Sequence, residues 1–385
     1  MTFEVVAAIG LAVWLYLLTA RGAFWLCRER DDAVPGAPPR WPRVAAVVPA
    51  RNEAECIAES IRSLVRQDYP GELAIVVVDD DSDDGTADVA RRAAAGAGRP
   101  VEVMTSRGVA PGWTGKLWAL HQGVAAAEAA PQPPDYLLLT DADIVHAPDS
   151  VSALVARAEH SSLALTSLMA KLRCDSFAER SHVPAFVLFF QMLYPFAWVN
   201  ARDRATAAAA GGCMLVRASA LRRAGGIESI RGALIDDCSL AKRLKAVGPI
   251  WLGLTDRVCS IRRYDAPEDV MRMISRSAYA QLNYSPLLLL AVTLGMALTF
   301  LAGPMLALFA AGPARLLGAL TWALMALAFQ PMLRFYRMSP LWGPALPAIA
   351  AAYMVYTFES AYRYARGQGG AWKGRVQANV SCPPR

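Results

Sequence analysis

Hydrophobic positions follow two regimes along this chain. Before residue 27 and after about residue 285 they form long blocks, whereas between residues 44 and 285 they come as short runs alternating with helical-period stretches. In the middle region, residues 44–49, 73–78, 101–104 and 136–139 read as short buried strands. Between the first two, Ile57, Ile61, Leu64 and Val65 recur at helical spacing behind Asn52, a residue suited to capping a helix. Residues 86–95, rich in alanine, and 116–130 supply two more helices. Strands alternating with helices predict right-handed βαβ crossovers and a mainly parallel sheet. Ligands of such sheets bind beyond the carboxyl ends of the strands.

The long blocks predict membrane helices. Residues 5–18 continue apolar to Cys27, broken by Arg21 and Gly22, and Lys and Arg are absent before them. Positive charges follow at Arg21, Arg28, Arg30, Arg40 and Arg43. That asymmetry favours an uncleaved anchor over a signal peptide, with the middle region on the cytoplasmic side of a bacterial-type plasma membrane. Residues 286–311, 316–332 and 341–358 are each near the ~20 residues a spanning helix needs. Four spans would leave Arg363, Arg366, Lys373 and Arg375 outside, against the positive-inside rule. The third C-terminal stretch, with Pro340, Pro344 and Pro347, is therefore the one expected not to span. Residues 184–199 are apolar and aromatic but short, which fits an interfacial segment or a buried core helix equally. The expected organisation is an anchor at 1–27, a charged proline-rich linker at 28–42, an α/β domain at 43–285, membrane helices at 286–360 and a basic tail at 361–385.

Composition sharpens this picture. The chain has 385 residues, 55% of them hydrophobic, a mean hydropathy of +0.28 and a net charge of +6. The charge suits work beside anionic lipid, and no compact basic block with interleaved aromatics points to nucleic acid. Seven cysteines are scattered without a CxxC pair, and with four histidines a zinc-type site is not expected. No internal repeat is visible.

Three acidic clusters carry the chemistry. Asp141-Ala142-Asp143 follows an apolar strand, and two carboxylates flanking one residue at a strand end can share Mg²⁺ or Mn²⁺ with substrate phosphates. Asp79-Asp80-Asp81-Ser82-Asp83-Asp84 places five carboxylates in six positions at another strand end. These could accept hydrogen bonds from a base or ribose, or could form a solvated turn with Ser82 or Asp84 capping the next helix. Asp236-Asp237 opens an amphipathic helix with Leu240 and Leu244 on one face. Acids there complement the helix dipole, and a carboxylate raised by its neighbour is also a plausible general base.

The order of these clusters resembles the family 2 inverting glycosyltransferases. The supporting residues are Val47-Val48-Pro49-Ala50-Arg51-Asn52-Glu53, the Val78–Thr86 segment (with Asp81 where glycine or asparagine is usual), Gly115-Lys116 with Ala119-Leu120, Gly211-Gly212 and Gly225-Gly226. Residues 111–116 and 279–286 resemble the hopene-associated glycosyltransferase subgroup, and the overall plan is similar to ceramide glucosyltransferases. The resemblance implies a GT-A fold and single-sugar transfer from a nucleotide-sugar, with a UDP-sugar the expected donor and a membrane lipid, hopanoid or related, as acceptor. It implies Glu53, Asp80 and Asp79 at the nucleotide, Lys116 near the donor, and Asp141 and Asp143 holding the diphosphate through the metal. It makes Asp237 the base, supported by Asp236. The QxxRW motif of processive relatives is absent; Arg276 alone remains of it, as a diphosphate contact or a membrane-surface arginine. The competing readings are a nucleotidyltransferase, which residues 49–53 disfavour by lacking glycine, and a nucleotide-sugar or lipid binding protein of the same fold without activity.

Overall fold

The computed structural model describes residues 2–370, so Lys373, Arg375 and Cys382 and most of the expected tail lie outside the described residues. The chain divides into two compact units.

The sheet unit comprises Glu29–Arg173 and Trp198–Arg263. Its strands are β1 (Val44–Ala50), β2 (Leu73–Asp79), β3 (Val101–Thr105), β4 (Tyr136–Thr140), β5 (Ile144–His146), β6 (Leu165–Lys171), β7 (Cys213–Arg217) and β8 (Ile250–Ser260). They form one sheet in the order β3-β2-β1-β4-β7-β6-β8-β5. The first four are parallel, as expected, but β7 runs antiparallel to both β4 and β6, and β5 antiparallel to β8. The sheet is therefore mixed, with four parallel and three antiparallel pairings. No helix separates β4 from β5, and although helices lie between β6 and β7, those two strands pair antiparallel rather than through a parallel crossover.

Helices cover both faces of the parallel strands, which explains their unbroken apolar runs. Ile57, Ile61 and Leu64 of the helix Ile57–Val65 join the core with Val44, Ala46 and Val48. The helix Gly115–Glu128 lies close over the opposite face. A Cβ at Gly123 would come within 2.5 Å of Val47 Cγ1 and 2.8 Å of Val78 Cγ2, so only glycine allows that approach. Asn52 does not cap the helix Ile57–Val65. It adopts a left-handed φ of 50° and its side chain accepts the Asp83 N–H instead, while the helix begins after Cys56. The charged linker is also partly packed. Arg30 bridges to Leu254, and buried Asp31 accepts the Thr255 hydroxyl at 2.7 Å and pairs with Arg257 at 3.3 Å.

The helical unit gathers the residues up to Arg28, Cys174–Ala197 and everything described from Tyr264. Residues 174–197 and 264–285, expected inside a continuous α/β domain, thus pack with the apolar helices. Thr2–Thr19, Pro286–Phe309, Gly312–Phe335 and Pro340–Ala365 are each long and apolar enough to cross a membrane. The last, expected not to span, meets the same criterion because Pro340, Pro344 and Pro347 fall in its first turns, where a missing N–H costs little. Close helix contact is allowed by small residues: a Cβ at Gly318 would stand 2.6 Å from the Gly303 carbonyl. Leu287, Leu316, Leu341 and Phe309 point outward. The helix Phe177–Leu193 begins with a capping box of Ser176 and Glu179, and Val183, Ala185 and Val187 are fully buried. Within this unit its Phe189 packs edge-on against Phe300 and Tyr353, so residues 184–193 form a helix packed against its neighbours.

Candidate active site

The carboxyl ends of β1, β2 and β4 bring the first acidic clusters to one edge of the sheet. The segment after β2 folds back over the segment after β1. Asn52 donates to Ser82 Oγ, Glu53 to Thr86 Oγ1 and Ala54 to Asp84 Oδ2, at 3.0, 2.8 and 3.0 Å. Arg51 donates to the Asp80 and Asp81 carbonyls. Five clustered carboxylates are thereby divided by task. Asp84 is a structural acceptor: although partial burial works to raise it, hydrogen bonds from Thr86 and Ala54 hold it below the usual carboxylate range. Asp81 points outward with a left-handed φ of 57°, the conformation glycine or asparagine adopts readily, which accounts for the residues resembling proteins carry there. Asp79 and Asp80 are buried, and Asp79 Oδ1 has no hydrogen-bond partner.

The second assembly joins the clusters after β4 and at the helix Asp236–Lys245. Lys116, in the first turn of its helix, places Nζ 2.9 Å from Asp141 Oδ1 and 3.0 Å from Asp236 Oδ2. Burial works against its charge, but the two carboxylates outweigh it and hold the ammonium protonated well above its ordinary range. Asp141 is raised, because burial with the Asp143 and Asp236 charges outweighs the lysine. Asp237 accepts N–H groups from Gly211 at 3.0 Å and from Cys238 at 2.7 Å. Burial first, then the Asp236 charge, pushes it up to about 6.

The third assembly was not visible in the sequence. Arg262, just beyond β8, donates to Asp143 Oδ2 at 3.0 Å and to Glu53 Oε1 at 2.5 Å, and Ser260 Oγ donates to the same Asp143 oxygen at 2.9 Å. Arg262 is thus a second cation among the acids of the sheet unit, beside Lys116; Arg276 is exposed and belongs to the helical unit. No motif marks Arg262; the available signal was a basic residue directly after an apolar strand. Also unforeseen is a brace beneath the Asp141–Asp143 turn. Thr140 Oγ1 meets buried His146 Nε2 at 3.0 Å and donates to the Gly212 carbonyl at 2.8 Å. Burial lowers His146 to about 4, so it serves as a neutral hydrogen-bonding group.

Glu53, Asp143 and Arg262 thus form one chain, and Asp141, Lys116 and Asp236 another, linked through the Asp141–Asp143 turn. Asp141 and Asp143 are hard oxygen donors. Among the described residues no cluster of three or more His, Cys, Asp or Glu could hold a metal by itself. A pair of carboxylates that leaves the remaining positions to phosphate oxygens and water fits Mg²⁺ or Mn²⁺ and does not fit a closed zinc site.

A mixed α/β sheet with carboxylates and cations assembled at its strand ends defines the GT-A-like class of enzyme. Residues 45–225 match the family described as Glycosyl transferase family 2, and residues 136–356 match Glycosyl transferase family group 2. The second match covers more than half of the chain, which therefore belongs to that family and is a glycosyltransferase. It is 30% identical over 124 residues to the 4,4'-diaponeurosporenoate glycosyltransferase of Staphylococcus haemolyticus (strain JCSC1435). That match spans 31% of this chain and 30% of the relative, less than a third of its length. Its fold is similar to that of the mannosyltransferase PcManGT from Pyrobaculum calidifontis, solved with GDP-Man and Mn²⁺, with a TM-score of 0.54 and 22% identity over 92% of this chain and 99% of the other. The S. aureus TarS fragment solved with UDP-GlcNAc gives a TM-score of 0.42 and 17% identity over 85% and 92%.

Proposed function

We propose that this glycosyltransferase moves one sugar, with inversion, from a nucleotide-sugar to a membrane lipid, with the help of a divalent ion. The observation that carries the reading is Lys116 joining Asp141 to Asp236 at 2.9 and 3.0 Å. It puts the diphosphate-side and acceptor-side carboxylates within one cluster. Buried Asp79, with its orphaned Oδ1, and Asp80 receive donor N–H or O–H groups of the base or ribose. Glu53 orients Arg262 at the nucleotide end. Asp141 and Asp143 would hold Mg²⁺ or Mn²⁺, which when bound neutralises charge on the departing diphosphate. Lys116 and Arg262 add fixed positive charge beside that position. Asp237, raised toward neutrality and oriented by the Gly211 and Cys238 amides, takes the proton from the acceptor hydroxyl. The freed oxygen attacks the anomeric carbon opposite the leaving group, so no protein nucleophile is needed, and Asp236 keeps Lys116 in place.

The GDP-Man and Mn²⁺ of the Pyrobaculum enzyme agree with a nucleotide-sugar and a divalent ion. A lipid acceptor is supported by the four helices of spanning length and by the partial match to an enzyme named for 4,4'-diaponeurosporenoate. The likeness of residues 111–116 and 279–286 to the hopene-associated subgroup favours a hopanoid or related acceptor. In this reading residues 1–27 anchor the chain and the sheet unit is cytoplasmic. Membranes containing the protein, incubated with a panel of labelled nucleotide-sugars, should yield labelled lipid from one donor and none after chelation. No labelled lipid from any donor would refute the reading and favour a binding protein.

A further inference from the structure

The helix headed by Asp236 and Asp237 carries a second feature that the reaction above does not use. A cleft of about 760 Å³, wholly within the sheet unit, is lined by Arg231, Lys242 and Arg243 together with Glu228, Ser229 and Ser239. Its volume lies in the range of small-molecule sites. Among the described residues no carboxylate pairs with any of the three cations, and one acid, Glu228, faces them in the lining. The two hydroxyls already donate to backbone carbonyls, Ser229 to Gly226 at 2.8 Å and Ser239 to Ile235 at 2.6 Å, which leaves the cations as the free donors of the cleft.

Both walls belong to elements of the active site. Ser239, Lys242 and Arg243 lie on the outer face of the helix Asp236–Lys245, whose inner face carries buried Leu240, Ala241 and Leu244. Asp236 and Arg243 are seven residues apart on one side, about 10 Å along the axis. Arg231 lies against the loop before Lys116: its carbonyl accepts the Thr114 N–H at 3.0 Å, and its Nε is 3.8 Å from where a Gly112 Cβ would sit. Basic residues in a last helical turn also complement the helix dipole. That role needs no cavity, and it does not recruit Arg231 from another element.

We propose that this cleft binds an anionic group, phosphate or carboxylate, carried by the acceptor. The inference rests on the transferase reading and narrows its acceptor to an anionic lipid. Guanidinium groups suit such oxyanions by bidentate hydrogen bonding. A group held by Arg243, about 10 Å along the helix from Asp236, is not the hydroxyl being glycosylated, so the product keeps its charge.

The test uses the full chain in neutral detergent, the R231Q/R243Q double variant, and dodecyl phosphate as probe. Wild type binds dodecyl phosphate in calorimetry and does not bind dodecyl maltoside. The variant binds the phosphate at least about tenfold more weakly, the loss expected when charged hydrogen bonds are removed, with nucleoside diphosphate affinity unchanged. In transfer assays its KM for the lipid acceptor rises by a similar factor, and labelled product is retained on an anion exchanger. Equal dodecyl phosphate affinity in both proteins, or a neutral labelled product, overturns the proposal. So does a variant that loses binding to phosphatidylglycerol vesicles while keeping wild-type acceptor KM in neutral detergent, since the cleft would then serve membrane headgroups. If wild type turns over no donor yet the variant loses dodecyl phosphate binding, the transferase reading fails and the anion cleft stands.

Discussion

Replacing Lys116 with methionine removes the cation from between Asp141 and Asp236 while keeping most of the side-chain volume. The wild-type ammonium makes charged contacts of 2.9 and 3.0 Å, and the three side chains are between about a fifth and a third exposed. A hydrogen bond to a charged group contributes roughly 1.5–3 kcal/mol when shielded, and partial exposure reduces this toward surface values. A net loss of about 2 kcal/mol is expected, which for a unit of about 200 residues lowers Tm by about 4–8 °C. The pH dependence separates charge from packing. The lysine is raised above its ordinary pKa, so its stabilisation is fully present at neutral pH and is lost only as pH rises through the folded value. Asp141 is already raised, and without the ammonium it is raised further, so acid neutralises the charge left uncompensated. Thermal unfolding of the detergent-solubilised variant should therefore show a Tm deficit at pH 7.5 that shrinks by pH 4.5. An equal deficit at both pH values, or none at pH 7.5, would refute the assignment of Lys116 as the electrostatic link.

Asp237, held at about 6, predicts a transfer rate that climbs about tenfold per pH unit below 6 and levels above it; a rate independent of pH from 5 to 8 would exclude it as the base. The same raised carboxylate makes folding stability fall from about pH 4 to 6, because there the folded state binds more protons than the unfolded chain. Arg262→Met leaves buried Glu53 and Asp143 without their shared partner and should cost about 2–4 kcal/mol in chemical denaturation; an unchanged midpoint would show that the pairing contributes nothing. Gly123→Ala should cost about 1–3 kcal/mol through overpacking against Val47 and Val78, and wild-type stability in that variant would contradict the close helix–strand packing.

Much of the fold was legible because the parallel strands are buried on both faces and so read as pure apolar runs. All four expected runs are strands, each extended by one residue at its carboxyl end. The antiparallel half was not legible: helices lie between β6 and β7 and between β7 and β8 just as between parallel strands, and nothing local in Cys213–Arg217 says which way it runs. The acids were conspicuous because carboxylates at the end of an apolar strand need a reason to be there. Of their counter-ions, Lys116 was singled out in the sequence and Arg262 was not. Arg262 reaches Glu53 across 209 positions, a proximity created by sheet order alone, which a search for motifs of fixed spacing does not register. Asn52 was misread for a related reason. Its side chain does cap backbone, but that of the loop after β2, a partner that exists only once the two strand ends lie side by side.

The central claim is that Asp237 performs the proton chemistry while the other carboxylates hold the donor side. Asp237→Asn keeps the size of the side chain and an oxygen for one of the Gly211 and Cys238 amides, but removes the base. The direct measurement is single-turnover sugar transfer in membranes alongside nucleotide-sugar affinity in the same preparation. The account predicts donor affinity within about twofold of wild type and transfer slowed by about 100-fold or more. Transfer by the variant within a few-fold of wild type would contradict it.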